Sequence, residues 1–110
     1  MQGAGWALWE QMSYDADGQL LSGSFMDYAM PDFTQAPTVF ETVLVEVPSD
    51  SGPFGARGVG EAPVVPTAAA IANAIADVAG VRLRDLPMTA PRVAAALSEA
   101  PDGAARHQPS

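Results

Sequence analysis

A chain of 110 residues is long enough for one small domain, and its formal charge of −8, from 13 acids against 5 Lys and Arg, would be repelled by a phosphate backbone, which sets nucleic-acid binding aside. There are no cysteines, and the single histidine, His107, stands in a polar tail, so disulfides and a Cys nucleophile are excluded and a metal site built from protein ligands is disfavoured. Apolar content is 48% with aromatics at 7%, which makes for a thin core of Ala, Val and Leu that partner surfaces would have to finish. No eighteen-residue apolar run and no basic leader is evident, so the expectation is a cytoplasmic chain without membrane contact.

In chain order, residues Gln2 to Met12 place Trp6, Trp9 and Met12 at helical spacing, with Leu8 alongside, and read as the tail of a helix. Asp15-Ala16-Asp17-Gly18 is a turn signature between Met12-Ser13-Tyr14 and Gln19-Leu20-Leu21, which predicts a β-hairpin. Thr38 to Val47 is rich in β-branched residues, with Val39, Val43, Val45 and Val47 on one face and Phe40 and Leu44 on the other, and predicts one long internal strand. A Gly- and Pro-dense loop, Ser49 to Gly60, precedes the strongest helix, expected to begin near Pro63 with Val64, Ala68, Ile71, Ile75 and Val78 as its apolar stripe. Gly80 stands where a helix-terminating glycine belongs. A short strand, Val81 to Leu86, and a short helix opened by Thr89 and Pro91 follow, with Val93 and Leu97 facing inward. The resulting fold class is α+β, with a β-hairpin, one long strand and two to three helices over residues 1–100, and a disordered tail over 101–110.

The chemistry concentrates in Gly55-Ala56-Arg57-Gly58-Val59-Gly60-Glu61-Ala62-Pro63. Three glycines in six residues let the backbone approach a ligand without steric cost, and a carboxylate follows at the mouth of a predicted helix. The spacing is G-x-x-G-x-G, so neither the dinucleotide fingerprint nor a phosphate loop with its Lys-Ser/Thr fits. The bland reading of Glu61 is an acid favoured by the positive end of a helix. The sharper reading is a general base on a ligand-approaching loop, since an ionised carboxylate is what such a base requires. Local sequence leaves both open.

Several stretches in this order resemble one family. They are Gln2-Gly3-Ala4-Gly5-Trp6-Ala7-Leu8-Trp9-Glu10, Tyr14-Asp15-Ala16-Asp17-Gly18-Gln19-Leu20, Asp27-Tyr28-Ala29-Met30-Pro31, Gly52-Pro53-Phe54-Gly55-Ala56-Arg57-Gly58-Val59-Gly60-Glu61, Ala70-Ile71-Ala72-Asn73-Ala74-Ile75 and Leu86-Pro87-Met88-Thr89. Together they resemble the C-terminal segment of the molybdopterin-binding large subunit of the xanthine dehydrogenase/aldehyde oxidase family, the molybdenum hydroxylases. Bacterial aldehyde and carbon-monoxide dehydrogenase-like subunits look closer than animal xanthine dehydrogenases. The likeness spans roughly residues 1 to 98.

The resemblance implies that Glu61 is the base that removes a proton beside the molybdenum, and that Gly58, Val59 and Gly60 pack against the cofactor. It implies a molybdenum–molybdopterin cofactor in the cytosine dinucleotide form, shared with the rest of the large subunit. FAD-binding and 2Fe-2S subunits are the implied partners, and an aldehyde, an N-heterocycle or carbon monoxide the implied substrate. Gln2 and Gly3 resemble residues that follow a cofactor-binding Gly-Gln segment of the family.

In that family the stretch is a small part of a much longer subunit, which leads to the expectation of a gene fragment, a misplaced start, a split subunit or a cut chain, inactive alone. The other function class is a non-catalytic remnant or interaction module that keeps the fold without the cofactor. Trp6 and Trp9 are expected in a core stripe rather than a substrate channel, and Asp15 and Asp17 in a turn rather than a calcium site. Arg57 is expected as an exposed loop arginine rather than a contact for a cofactor phosphate or a substrate carboxylate. Tyr28 and Met30 are candidates for a cavity wall, and Asn73 with Asp77 forms a polar helix face.

Overall fold

The computed structural model describes residues 1–100; the expected tail 101–110, with His107, lies outside them. Three α-helices are present: α1 (Gln2–Leu8), α2 (Thr67–Ala79) and α3 (Ala90–Glu99). Short 3₁₀ turns occupy Phe33–Gln35, Pro53–Gly55 and Ala62–Val64.

α2 starts later than the expected position near Pro63, and Pro66 is the reason. Pro66 has no N–H to give to the Ala62 carbonyl, so the preceding turn tightens to 3₁₀ and the α-helix restarts at Thr67. The Thr67 hydroxyl then ties the two together by donating to the Pro63 carbonyl at 3.3 Å. At the other end Gly80 takes the left-handed conformation (φ 69°) and its N–H bonds the Ala76 carbonyl at 3.0 Å. α3 opens from an extended Thr89 with Pro91 in its first turn; the Thr89 hydroxyl makes no cap bond, and its carbonyl accepts from Val93 at 2.9 Å. On the α2 stripe, Val64, Ala68, Ile71 and Ile75 are half-buried and Val78 is exposed; on α3, Val93 is half-buried while Leu97 lies largely exposed.

α1 lies on α2, with Gly3 against Thr67. Gly3, Gly5 and Ala7 are its buried positions. A Cβ at Gly3 would stand 2.6 Å from Thr67 Oγ1 and 2.7 Å from Thr67 Cβ, and one at Gly5 would stand 2.9 Å from the Pro31 ring. The expected Trp6–Trp9 core stripe is therefore not the face packed on α2: Trp6 is exposed and Trp9 half-buried, and the two rings line separate recesses. The small core comprises Ala7, Val81 and Met88, with the Met88 N–H donating to the Ala7 carbonyl at 2.6 Å. Arg92 staples α3 to this centre by donating to the Pro87 carbonyl at 2.9 Å and to Gln11 at 3.4 Å.

The α+β expectation is overturned. Among the described residues there is no β-strand, so neither the β-hairpin, the long strand nor the short strand at Val81 to Leu86 forms. At Asp15-Ala16-Asp17-Gly18 the chain reverses, with Asp15 Oδ1 accepting the N–H groups of Asp17 (2.9 Å) and Gln19 (2.8 Å). Only one isolated antiparallel bridge, Tyr14 to Leu20, follows from it. Thr38 to Val47 has no backbone–backbone hydrogen bond to any described residue, and Val43 and Leu44 are 82% and 79% exposed. A strand exists through its ladder, and no neighbouring strand among the described residues offers one. The β-branched pattern suits a sheet, and no sheet is present among the described residues.

The same shortage runs through the described residues. The chain's accessible surface is 9056 Å², against about 5,800 Å² for a compact monomer of this mass. Its radius of gyration is 18.5 Å, against about 13 Å for a compact domain of this length. Residues Ala62–Ala79, 18 residues with mean hydropathy 1.4, match a membrane span in length and composition. α2 proper has 13 residues, about 20 Å of rise, short of the roughly 30 Å hydrocarbon layer. An apolar helix of a larger protein's interior has the same composition.

The close crossing makes a specific prediction. Gly3→Val should destabilise the fold by about 1–3 kcal/mol through overpacking against Thr67. Gly58→Ala and Gly60→Ala, where an added Cβ meets nothing within 4 Å, should change stability by less than about 0.5 kcal/mol. Thermal unfolding midpoints of the three variants check both halves.

Candidate functional site

The loop that carries Glu61 is built in two parts. Residues 48–57 form a closed knot: Ser49 N–H donates to the Gly55 carbonyl at 3.0 Å, and Ser49 Oγ accepts from Gly52 at 3.2 Å. Phe54 and Gly55 both have positive φ (55° and 79°), and the Phe54 side chain is fully exposed. A left-handed phenylalanine costs about 1–2 kcal/mol, so the surrounding bonds hold it there. Arg57 shuts the knot, its Nε donating to the Val47 carbonyl at 2.6 Å and an Nη to the Pro48 carbonyl at 3.2 Å. Arg57 is thus a backbone clamp for its own loop rather than a free arginine.

The second part, Gly58-Val59-Gly60-Glu61, is open. None of these four backbone N–H groups, nor that of Arg57, donates to any described residue, and all four residues are exposed. Exposed, unspent donors and two glycines without neighbours form a surface that a ligand can approach to backbone distance.

Glu61 sits at the start of the Ala62–Val64 turn, where its carbonyl accepts from Val64 at 2.9 Å. Its carboxylate makes no cap bond, and α2 begins six residues later. Glu61 thus stands at the N-terminal end of a short 3₁₀ turn, the position the bland reading asks for, without a side-chain cap bond. Instead Oε1 accepts a hydrogen bond from Gln2 Nε2 on α1. Beside it opens a recess of about 290 Å³ lined by Gly3, Trp6, Glu61, Val64, Val65, Ala68 and Leu86. The structure thus brings Gln2 and Gly3 to the Glu61 loop. Gln2's contact with Glu61, 59 residues away, had no signal in the local sequence.

The remaining candidates fall elsewhere. Trp9 lines an apolar recess with Ile75, Met88 and Val93, separate from the one that Trp6 lines. Asp15 organises its turn, and among the described residues no three His, Cys, Asp or Glu side chains gather to hold a metal ion. Tyr28 lines a recess with Met12, Leu20 and Phe25, while Met30 lies outside it. Asn73 Oδ1 accepts from Arg82 at 2.6 Å, which ties α2 to the segment after it. Asp32 Oδ1 accepts the N–H (2.7 Å) and hydroxyl (2.6 Å) of Thr34, and these bonds hold its carboxyl below the usual aspartate range.

Residues 1–37 match the family model described as "Molybdopterin cofactor-binding domain". The chain is 43% identical over 91 residues to the 6-hydroxypseudooxynicotine dehydrogenase complex subunit gamma of Paenarthrobacter nicotinovorans, covering 81% of this chain and 12% of that one. It is 38% identical over 92 residues to a putative xanthine dehydrogenase molybdenum-binding subunit of Escherichia coli K12, covering 83% and 12%. The crystal structure of quinoline 2-oxidoreductase from Pseudomonas putida 86 superposes with a TM-score of 0.76 at 31% identity, over 91% of this chain and 13% of that one. These likenesses define a piece of a molybdopterin-binding protein. The chain belongs to the xanthine dehydrogenase-like molybdenum hydroxylase family and corresponds to a fragment of its large subunit, spanning about one-eighth of the length of the relatives it matches.

One ionisation in this region is testable directly. Tyr28 O–H donates to Glu10 Oε2 at 2.5 Å, and that bond, with burial and the Glu10 charge adding to it, pushes the phenol above its ordinary value. A raised folded value favours the neutral phenol, so the bond's stabilisation is present below the unfolded value and lost as pH rises through the folded one. Glu10→Ala should bring the Tyr28 titration down toward the ordinary tyrosine range, read by phenolate absorbance in a Tyr14→Phe background.

Proposed function

We propose that this chain supplies the catalytic base of a molybdenum-dependent hydroxylase, with Glu61 as that base and with Gly58, Val59 and Gly60 as the backbone wall against the cofactor. The observation that carries this reading is the open run Gly58-Val59-Gly60-Glu61, whose backbone donors are unspent and whose carboxylate is exposed beside a recess. It sits next to Gln2, and Gln2 lies inside the stretch, residues 1–37, that matches the cofactor-binding family model.

The residues present fit a large planar cofactor with polar edges. A Cβ at Gly58 or Gly60 would meet nothing in this chain, so the space above both is free for a ligand, and N–H groups are the donors that such edges need. When bound, the molybdenum–molybdopterin group, in its cytosine dinucleotide form, supplies the electron-accepting centre. The chain's own part is positional and acid–base. The Ser49–Arg57 knot fixes where the open run starts, the Ala62–Val64 turn fixes where it ends, and Glu61 receives the proton released as substrate is hydroxylated. The chain lacks the enclosure that a dinucleotide cofactor needs, so the rest of the large subunit completes the site. FAD-binding and 2Fe-2S subunits carry the electrons away. The substrate class is a small aldehyde, N-heterocycle or carbon monoxide; the quinoline and nicotine-derived names among the relatives favour the heterocycle.

In the complete enzyme, Glu61→Gln should leave molybdenum and pterin content unchanged while lowering kcat by about 10²–10⁴-fold, the usual worth of a positioned base. Full activity in that variant would leave the non-catalytic remnant as the better account. The 110-residue chain purified alone should show no molybdenum-dependent oxidation of aldehydes or heterocycles; turnover by it would refute the need for a completing subunit.

A further inference from the structure

The structure assigns Gln2 as the residue that positions the Glu61 carboxylate, a role that rests on the reading of Glu61 as the base. Gln2 Nε2 donates to Oε1, and this is the carboxylate's only hydrogen bond among the described residues. The loop itself offers Glu61 little restraint, because the N–H groups from Arg57 to Gly60 donate to no described residue and an added Cβ at Gly58 or Gly60 would meet nothing within 4 Å. A long side chain on such a loop has several rotamers open to it, and a base needs one.

Gln2 can select that rotamer because it is itself anchored. The next residue, Gly3, lies against Thr67 closely enough that no Cβ fits between them. Thr67 bonds the Pro63 carbonyl, and Val64 bonds the Glu61 carbonyl. Donor and acceptor are thus tied to the two sides of one packed contact. The chemistry of the donor also suits the task. A primary amide is neutral, so it orients the carboxylate without the counter-charge that a Lys or Arg would place beside it. It occupies Oε1 and leaves Oε2 to take the proton.

The test uses the assembled enzyme with Gln2→Leu, which keeps the side chain's bulk and removes the donor. We expect kcat to fall about ten- to a hundredfold, as the loss of one hydrogen bond to a charged group would give, with KM and molybdenum content unchanged. Adding Gln2→Leu to Glu61→Gln should cost nothing further, because the carboxylate it positions is gone. Independently of turnover, the carboxylate infrared band that disappears in Glu61→Gln should shift in Gln2→Leu. An unchanged kcat, a loss that multiplies in the double variant, a drop in molybdenum content, or an unshifted band would each overturn the assignment. If Glu61→Gln is itself fully active, the base reading fails instead, and the infrared band still reports whether Gln2 holds the carboxylate.

Discussion

The arrangement depends on one contact, the crossing of α1 over α2 at Gly3 and Thr67. Helix axes normally stand 8–10 Å apart, with side chains between them. Here the missing Cβ of Gly3 lets the first helix settle onto Thr67, where an added methyl would stand at 2.6 Å. That closeness decides what lies on either side. It forces Trp6 and Trp9 away from the interface into separate recesses, and it sets Gln2 within reach of a carboxylate 59 residues further along the chain. A site assembled from two distant stretches thus owes its geometry to the smallest side chain in the helix.

The second constraint is a shortage of cover. Burial drives folding in proportion to the apolar area removed from water, roughly 25 cal/mol per Å², and this chain leaves most of its large apolar side chains outside. Val43, Leu44, Phe25 and Phe33 are surface residues only because nothing in the described residues lies over them. Obligate interfaces bury several thousand Å², which is the scale of the surplus surface carried here. The helices and the Glu61 loop hold their shape through local bonds, whereas the segments that need a sheet remain without one.

This division explains what could be read from the amino-acid sequence. Features fixed by neighbours in the chain were legible: the terminating glycine at Gly80, the turn at Asp15 to Gly18, the opening of α3 at Thr89 and Pro91, and the glycine loop before Glu61. Features that need a distant partner were not. The pattern at Thr38 to Val47 states what those residues want, and periodicity cannot say whether the strand that would satisfy them is available. The Trp6–Trp9 stripe failed for a related reason, since hydrophobicity ranked the rings above Gly3, while packing distance ranked Gly3 first. Pro66 was visible throughout, but its effect on the start of α2 depends on the carbonyl it fails to bond, one turn earlier.

The placement of Glu61 has a further physical consequence. Had it capped α2, its carboxylate would be spent on backbone N–H groups and held by the helix terminus, and a proton acceptor there would compete with its own structural role. Pro66 removes that option by breaking the helix between Glu61 and Thr67, so the side chain is released from capping duty. The backbone on its other side is equally unspent, because Arg57 closes the Ser49 loop without using any donor of the Gly58–Gly60 run. The open segment is therefore bracketed by two self-contained knots, one shut by an arginine and one by a proline-induced turn. Bonded backbone is concentrated at the ends and unspent donors in the middle, and among the described residues the one side chain bonded to Glu61 from another element is that of Gln2.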